Sequence, residues 1–237
     1  MIEIKNVTKK FGKFTALDGV TLTINDNECF AILGFNGAGK TTLINILTTV
    51  LPKTSGDVLI NGFVLGKDNY EIKKIVNVSP QEIAVCKNLT VKENFELIAN
   101  LYQIEDKESS INNAINNFGL SEKKDVLAKK LSGGQLKRLS IALAVITNPK
   151  ILFLDEPTLG LDIKARQKLW DTITALKSKM TIFLTTHYLE EVEKLTDKIA
   201  VISKGQIKAT GTLSELLEKT QTSTLQDAFL KLTEDEE

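Results

Sequence analysis

The sequence predicts an α/β fold: a mainly parallel sheet with an N-terminal antiparallel β-subdomain and an inserted helical subdomain. Short apolar runs of the buried-strand kind, Phe30-Ala31-Ile32-Leu33, Ile151-Leu152-Phe153-Leu154 and Thr181-Ile182-Phe183-Leu184, recur between helix-patterned segments. Alternation of that kind builds parallel sheets. Between residues 82 and 147 strand signals nearly vanish, and apolar residues return at helical spacing.

Taken in order, residues 2–33 alternate apolar and polar positions around Asn25-Asp26-Asn27, which predicts β-hairpins. The run Phe30–Leu33 feeds a glycine-rich loop, after which residues 40–50 read as a helix that Pro52 stops. A short strand is expected over Ile75 to Val78. Val91, Phe95, Ile98 and Tyr102 mark one helix, and Ile111, Ala114, Ile115 and Phe118 mark another. Leu169, Trp170, Ile173 and Leu176 form the apolar face of a helix between the last two buried runs. A hairpin at Lys204-Gly205, two short helices and the acidic end Glu234 to Glu237 complete the chain. This divides a single domain into an α/β core (1–81 and 148–220), a helical subdomain (82–147) and a short C-terminal helix with an acidic tail (221–237).

Composition narrows the function classes. The chain has 237 residues, 42% hydrophobic and 25% charged, an ordinary globular balance with ample apolar material for a core. Thirty basic residues offset thirty acidic ones, so no net charge draws it to nucleic acid or anionic lipid. Cys29 and Cys86 have no metal-site spacing and make a poor disulfide framework, which fits a reducing, cytosolic setting. The N-terminus lacks the apolar core of a signal peptide. The longest apolar run, Ile141 to Ile146, falls far short of the roughly 20 residues a membrane-spanning helix needs, so a membrane role would come through a partner.

The chemistry concentrates in a few motifs. Residues 34–41 read Gly-Phe-Asn-Gly-Ala-Gly-Lys-Thr. Gly34, Gly37 and Gly39 leave backbone N–H groups free to wrap a phosphate, and Lys40 adds a neutralising charge. Thr41 places a hydroxyl where Mg²⁺ bridges the β- and γ-phosphates of ATP, and Asn36, Ala38 and Thr42 complete the nucleotide contacts. A glycine-rich turn that binds nothing is the competing interpretation, but the loop sits between a strand and a helix, as phosphate binding requires. Asp155-Glu156 closes an apolar strand, so both carboxylates emerge at the sheet's carboxyl edge. Asp155 is placed to hold Mg²⁺ through water and Glu156 to polarise an attacking water.

Residues 131–135 read Leu-Ser-Gly-Gly-Gln. Ser132 and Gln135 form a capping box for a helix running on through Leu136, Leu139 and Leu143, and a capped helix start is also a good anion site. With the phosphate loop and Asp155-Glu156 in place, the chain resembles the nucleotide-binding subunit of an ABC transporter, a P-loop NTPase, over nearly its whole length, and Leu131–Gln135 matches that family's signature without a substitution. The resemblance implies that Ser132, Gly133, Gly134 and Gln135 grip the γ-phosphate bound to an opposite subunit. It implies that Gln81 touches Mg²⁺ and the attacking water and links to the membrane partner. It places the lone histidine, His187, against the γ-phosphate, and Asp162 across the dimer. Asp162 reads equally as the N-cap of the helix starting at Ile163. Phe11 resembles the aromatic that stacks on adenine, where the family more often has Tyr, and a core Phe is the competing interpretation. Leu159 replaces a usually small residue, and Phe35 varies the phosphate loop.

Leu184–Glu191 and the tail Thr224–Leu230 are similar to the bacterial drug and antibiotic efflux branch. The expectation is therefore an ATP- and Mg²⁺-dependent subunit. Its partners would be a second nucleotide-binding subunit, identical or homologous, and separate membrane-spanning chains on whose cytoplasmic side it sits. Nucleic acid is not an expected partner. An importer ATPase, a soluble ATPase acting on ribosomes or DNA, and a module that holds ATP without turnover are the alternatives. The stretch between Lys40 and Leu131 is too short for the long coiled coil of DNA-acting members, and there is a single cassette.

Overall fold

A computed structural model describes residues 1–234; the acidic end at 235–237 lies outside the described residues. The chain opens with β1 (Ile2–Phe11) and β2 (Phe14–Ile24), an antiparallel pair registered from Ile2↔Ile24 to Phe11↔Phe14. β4 (Ser55–Ile60) adds to the other edge of β1, and β5 (Phe63–Val64) to β4, giving a four-stranded antiparallel sheet in the order β2-β1-β4-β5.

The larger sheet is built from β3 (Cys29–Leu33), β6 (Val76–Ser79), β7 (Ile151–Asp155), β8 (Thr181–Thr186), β9 (Lys198–Ser203) and β10 (Gln206–Gly211), in the order β10-β9-β3-β8-β7-β6. All its pairings are parallel except β10 with β9, the hairpin at Lys204-Gly205. Here the expected hairpin around Asn25–Asn27 is corrected. That turn does not pair its flanking strands: β2 stays in the antiparallel sheet, while β3 enters the middle of the parallel one. The hairpin turn lies earlier, between Phe11 and Phe14. Ile75, expected in the strand before Gln81, instead ends a helix, and the strand runs from Val76 to Ser79.

Helices cover the sheet in chain order: α1 (Lys40–Leu47), α2 (Asn69–Ile75), α3 (Val91–Leu101), α4 (Lys107–Asn117), α5 (Gly133–Val145), α6 (Ile163–Leu176), α7 (Leu189–Leu195), α8 (Leu213–Thr220) and α9 (Leu225–Thr233). Successive strand residues face opposite sides. Phe30 and Ile32 of β3 join Phe153 and Phe183 in a core shared with the antiparallel sheet and α1, whereas Ala31 and Leu33 point with Leu154 and Leu184 into a core shared with α3–α6. A strand buried on both faces must be apolar throughout, which is why these runs show no alternation. Among the described residues, no helix is long and apolar enough to cross a membrane.

Candidate functional site

The glycine loop links the end of β3 to the start of α1. Gly39 occupies the cap position with φ 106°, and a Cβ there would stand 2.7 Å from the Ala16 carbonyl oxygen. Only glycine satisfies both the left-handed backbone and that approach. With no side chain capping α1, its first-turn amides remain available to an anion. Lys40 folds back over the loop, donating to the carbonyls of Gly34 at 2.7 Å and Phe35 at 3.2 Å.

The acidic side comes from the paired ends of β7 and β8, where Asp155 lies opposite Thr185. Thr185 donates its hydroxyl proton to Asp155 Oδ1. The next residue, Glu156, has φ 46°, a left-handed conformation that carries a backbone cost in any side-chain-bearing residue. Its amide donates to the Thr185 carbonyl at 3.0 Å, fixing that turn. Its carboxylate bridges two partners, with Oε1 3.0 Å from Lys40 Nζ and Oε2 2.8 Å from His187 Nδ1. Lys40 and Glu156 are buried, and His187 is half-buried.

These groups line one cleft of about 440 Å³, with Phe14 and Ala16 at one side and Gln81 and Leu159 at another. Asn36, Gly37, Gly39, Lys40, Thr41, Thr42, Gln81, Glu156 and His187 all reach it. Gly34, Ala38 and Asp155 lie in the wall behind, Asp155 being 2% exposed. Phe11 does not line the cleft; half-exposed, it carries the Lys9 ammonium 4.8 Å over its ring. Phe14, across the same turn, is the aromatic that faces it. Among the described residues no three carboxylate, thiol or imidazole groups form a metal cage. The Thr41 hydroxyl and the Gln81 amide in the cleft, with the buried Asp155 carboxylate reaching the ion through water, suit a Mg²⁺ ion that takes its other ligands from phosphate and water.

Ser132–Gln135 lies elsewhere, away from the cleft of its own chain. Ser132 caps α5, its Oγ accepting from the Gln135 amide at 3.3 Å while Gln135 Oε1 accepts from the Ser132 amide at 2.9 Å. A Cβ on Gly134 would stand 2.7 Å from the Ala165 Cβ, so this glycine lets the start of α5 press against the start of α6. A Cβ on Gly133 would meet nothing within 4 Å. Asp162 caps α6 by accepting from the Ala165 amide at 2.8 Å. Ser132, Gly133, Asp162 and Ile163 are exposed.

Two buried ionisable residues were missed by the sequence reading. Lys137 of α5, 4% exposed, donates to the carbonyls of Pro80 at 2.9 Å and Gln81 at 3.5 Å, and burial pulls its ammonium down to about 8. Glu191 of α7 is fully buried, and burial pushes its carboxyl up to about 7 against the pull of Thr186, Thr158 and Trp170. In sequence Glu191 is one of four charges on a short helix and Lys137 one of two adjacent basic residues, so nothing local says which of them is buried.

A family model described as ABC transporter matches residues 17–159. The linearmycin resistance ATP-binding protein LnrL of Bacillus subtilis is 35% identical over 219 residues, covering 91% of this chain and 70% of that protein. The phospholipid-transporting ATPase ABCA3 of Rattus norvegicus is 36% identical over 92% of this chain, which spans only 13% of that protein's length. Among solved structures, a dimeric post-hydrolysis ATP-binding cassette bound to ADP and Pi superposes with a TM-score of 0.80 at 28% identity, covering 90% of this chain and 99% of that one.

Proposed function

The chain belongs to the ABC transporter family, and from that premise we propose that it powers export of a drug, antibiotic, peptide or lipid-like molecule through separate membrane-spanning subunits. It is an ATP-hydrolysing member of the family, with the glycine loop and acidic strand end that such chemistry requires. The export direction leans on the resistance in the name of LnrL, and the lipid-like substrate on the phospholipid transport in the name of ABCA3.

In this reading two subunits close over two ATP molecules. The first-turn amides of α1 and Lys40 hold the phosphates of each nucleotide. Thr41, Asp155 and Gln81 would hold a Mg²⁺ ion, whose charge would neutralise the phosphates. Glu156 accepts a proton from the attacking water, and His187 orients that carboxylate through its 2.8 Å contact before meeting the γ-phosphate. Ser132 to Gln135 of the opposite subunit cover the γ-phosphate, with Asp162 beside them, and Phe11 or Phe14 stacks on adenine. Closure pulls on the membrane chains through the Gln81 loop, and phosphate release reopens the pair. The assembly would sit on the cytoplasmic face of the membrane.

One observation carries this reading: the exposed Ser132–Gly133 segment stands off the cleft that its own chain forms. A motif suited to anions but remote from its own nucleotide pocket fits a second copy. The test is Glu156→Gln, which should retain ATP, lose turnover by about a hundredfold or more for a lost general base, and gather into an ATP-dependent dimer in light scattering. A Glu156→Gln chain that stays monomeric with ATP, or hydrolyses it at the wild-type rate, overturns the mechanism. Copurification with ribosomes rather than membranes would overturn the transport assignment.

A further inference from the structure

α5 begins at the signature and ends beneath the parallel sheet, and one face of it is tied to the strand end that leads into Gln81. Lys137 and Ser140, three positions apart, share that face. Ser140 Oγ lies 3.1 Å from Ser79 Oγ, a buried hydroxyl pair at the last residue of β6. One residue further on, Lys137 Nζ donates to the Pro80 carbonyl at 2.9 Å, and two further on it reaches the Gln81 carbonyl at 3.5 Å. Lys137 is 4% exposed, and among the described residues no carboxylate lies within salt-bridge distance of it, although Asp155, Glu191 and Glu156 attract its charge from further off. Burying an ammonium on neutral carbonyls costs stability that an apolar side chain of the same length would not.

We propose that Lys137 is a positioning residue that fastens the signature helix to the backbone of the Gln81 loop, so that displacement of Ser132–Gln135 is passed directly to Gln81. From the Ser132 cap to Lys137 is about 7.5 Å of helix rise, short and stiff enough to move as one body. The carbonyls it holds belong to the residue that carries the Gln81 amide to the cleft and to the residue before it. A shift of α5 therefore moves the Gln81 side chain relative to Lys40 and Glu156 without passing through the sheet. The inference rests on the assigned roles of the signature and of Gln81, and it adds the mechanical part between them.

The test is Lys137→Met in the full chain, which keeps the length of the side chain and removes its donors. A nitroxide at Glu82→Cys, in a Cys86→Ser background, reports the loop without nucleotide. The remaining thiol, Cys29, is fully buried and pushed up to about 12, out of reach of the label. The label's mobility should rise in Lys137→Met. ATP turnover should fall about tenfold in kcat while KM stays within twofold. Adding Lys137→Met to Gln81→Ala should cost less than a further twofold, because Lys137 acts through Gln81. If Lys137→Met does not fold, Lys137→Leu serves the same measurements. Unchanged label mobility, wild-type kcat, or losses that multiply in the double variant each overturn the proposal. Wild-type turnover tests the functional reading by itself, and the label answers for Lys137 whatever that turnover is.

Discussion

Lys40 Nζ stands 3.0 Å from Glu156 Oε1, an ion pair between two side chains each 5% exposed. One partner starts α1 and the other follows β7, so the pair closes the cleft floor across two elements far apart in sequence. Removing one member of a buried pair leaves the other charge uncompensated, which typically costs about 3–5 kcal/mol. The two removals differ in what a nucleotide does next.

Lys40→Met strands the Glu156 carboxylate with His187 alone and takes away the cation that meets the phosphates. The expected outcome is a lower melting temperature and ATP affinity reduced by about a hundredfold, on the scale of a lost charge-assisted contact. Glu156→Gln strands Lys40 instead, but the Gly34 and Phe35 carbonyls still hold it and bound phosphate restores a negative partner. Its apo form should melt below wild type and gain more from saturating ATP than wild type does. Thermal unfolding with and without ATP checks both; equal ATP shifts in wild type and Glu156→Gln would show that the pair does not compete with nucleotide.

Ser132→Arg addresses the remote motif. Ser132 is exposed and bonded only within its own capping box, so the change should cost about 1 kcal/mol of stability from the lost cap. ATP affinity of the isolated chain should not change, since the cleft lies elsewhere. In a mixed dimer of Ser132→Arg and Lys40→Met chains, the wild-type Lys40 of one chain meets the wild-type signature of the other, so one site is intact and the second site carries both changes. Turnover should persist at roughly half there, yet vanish in a dimer carrying both changes on one chain and none on the other, where one site lacks its lysine and the other meets the arginine-bearing signature. Equal rates in the two arrangements would remove the cross-subunit assignment.

What could be read from sequence follows the range of the physics involved. The glycine loop was legible because its requirements are local: Gly39 needs a positive φ and a close neighbour, and both leave glycine at fixed spacing. The capping box of Ser132 and Gln135 is a four-residue pattern and was equally visible. The path from β2 to β3 was not. Alternation says which face of a strand is buried, and nothing in it says whether the next strand pairs or changes sheets. Phe11 and Phe14 flank one turn, and only the register Phe11↔Phe14 and the packing around it decide which ring faces the cleft. Lys137 and Glu191 were opaque for a deeper reason. A buried charge is identified by what surrounds it, and its surroundings come from segments dozens of residues away.

Glu191 gives a pH prediction with a definite sign. Its carboxyl is raised from the ordinary 4.5 to about 7, first by burial and in small part by the neighbouring charge of Glu156. The folded state therefore binds the proton more tightly than the unfolded chain. The contribution is fully present below pH 4.5 and is lost as pH rises through about 7, on the order of 3 kcal/mol over the whole window. Glu191→Gln carries a neutral group throughout and should lack that slope. Urea unfolding from pH 5 to 8 should show wild type losing stability relative to Glu191→Gln as pH rises. A constant difference between them would mean that Glu191 is ionised in the fold at every pH tested.

The two signature glycines separate folding from function. Gly134 abuts α6, and an added Cβ would lie 2.7 Å from the Ala165 Cβ, a distance at which one helix must move. Overpacking of that kind costs about 1–3 kcal/mol, so Gly134→Ala should melt several degrees lower. Gly133 has open space where its Cβ would be, and it sits in the first turn of α5. Its own fold has no need of glycine, and alanine there should leave stability unchanged or raise it by up to about 1 kcal/mol. If the space beyond Gly133 is reserved for the phosphates on an opposite subunit, Gly133→Ala should keep its melting temperature and ATP affinity while losing at least about tenfold in turnover and the ATP-dependent dimer. Full turnover in a stable Gly133→Ala chain would mean that nothing approaches α5 from outside. The inverse result, a destabilised Gly133→Ala and an intact Gly134→Ala, would contradict the packing of α5 on α6.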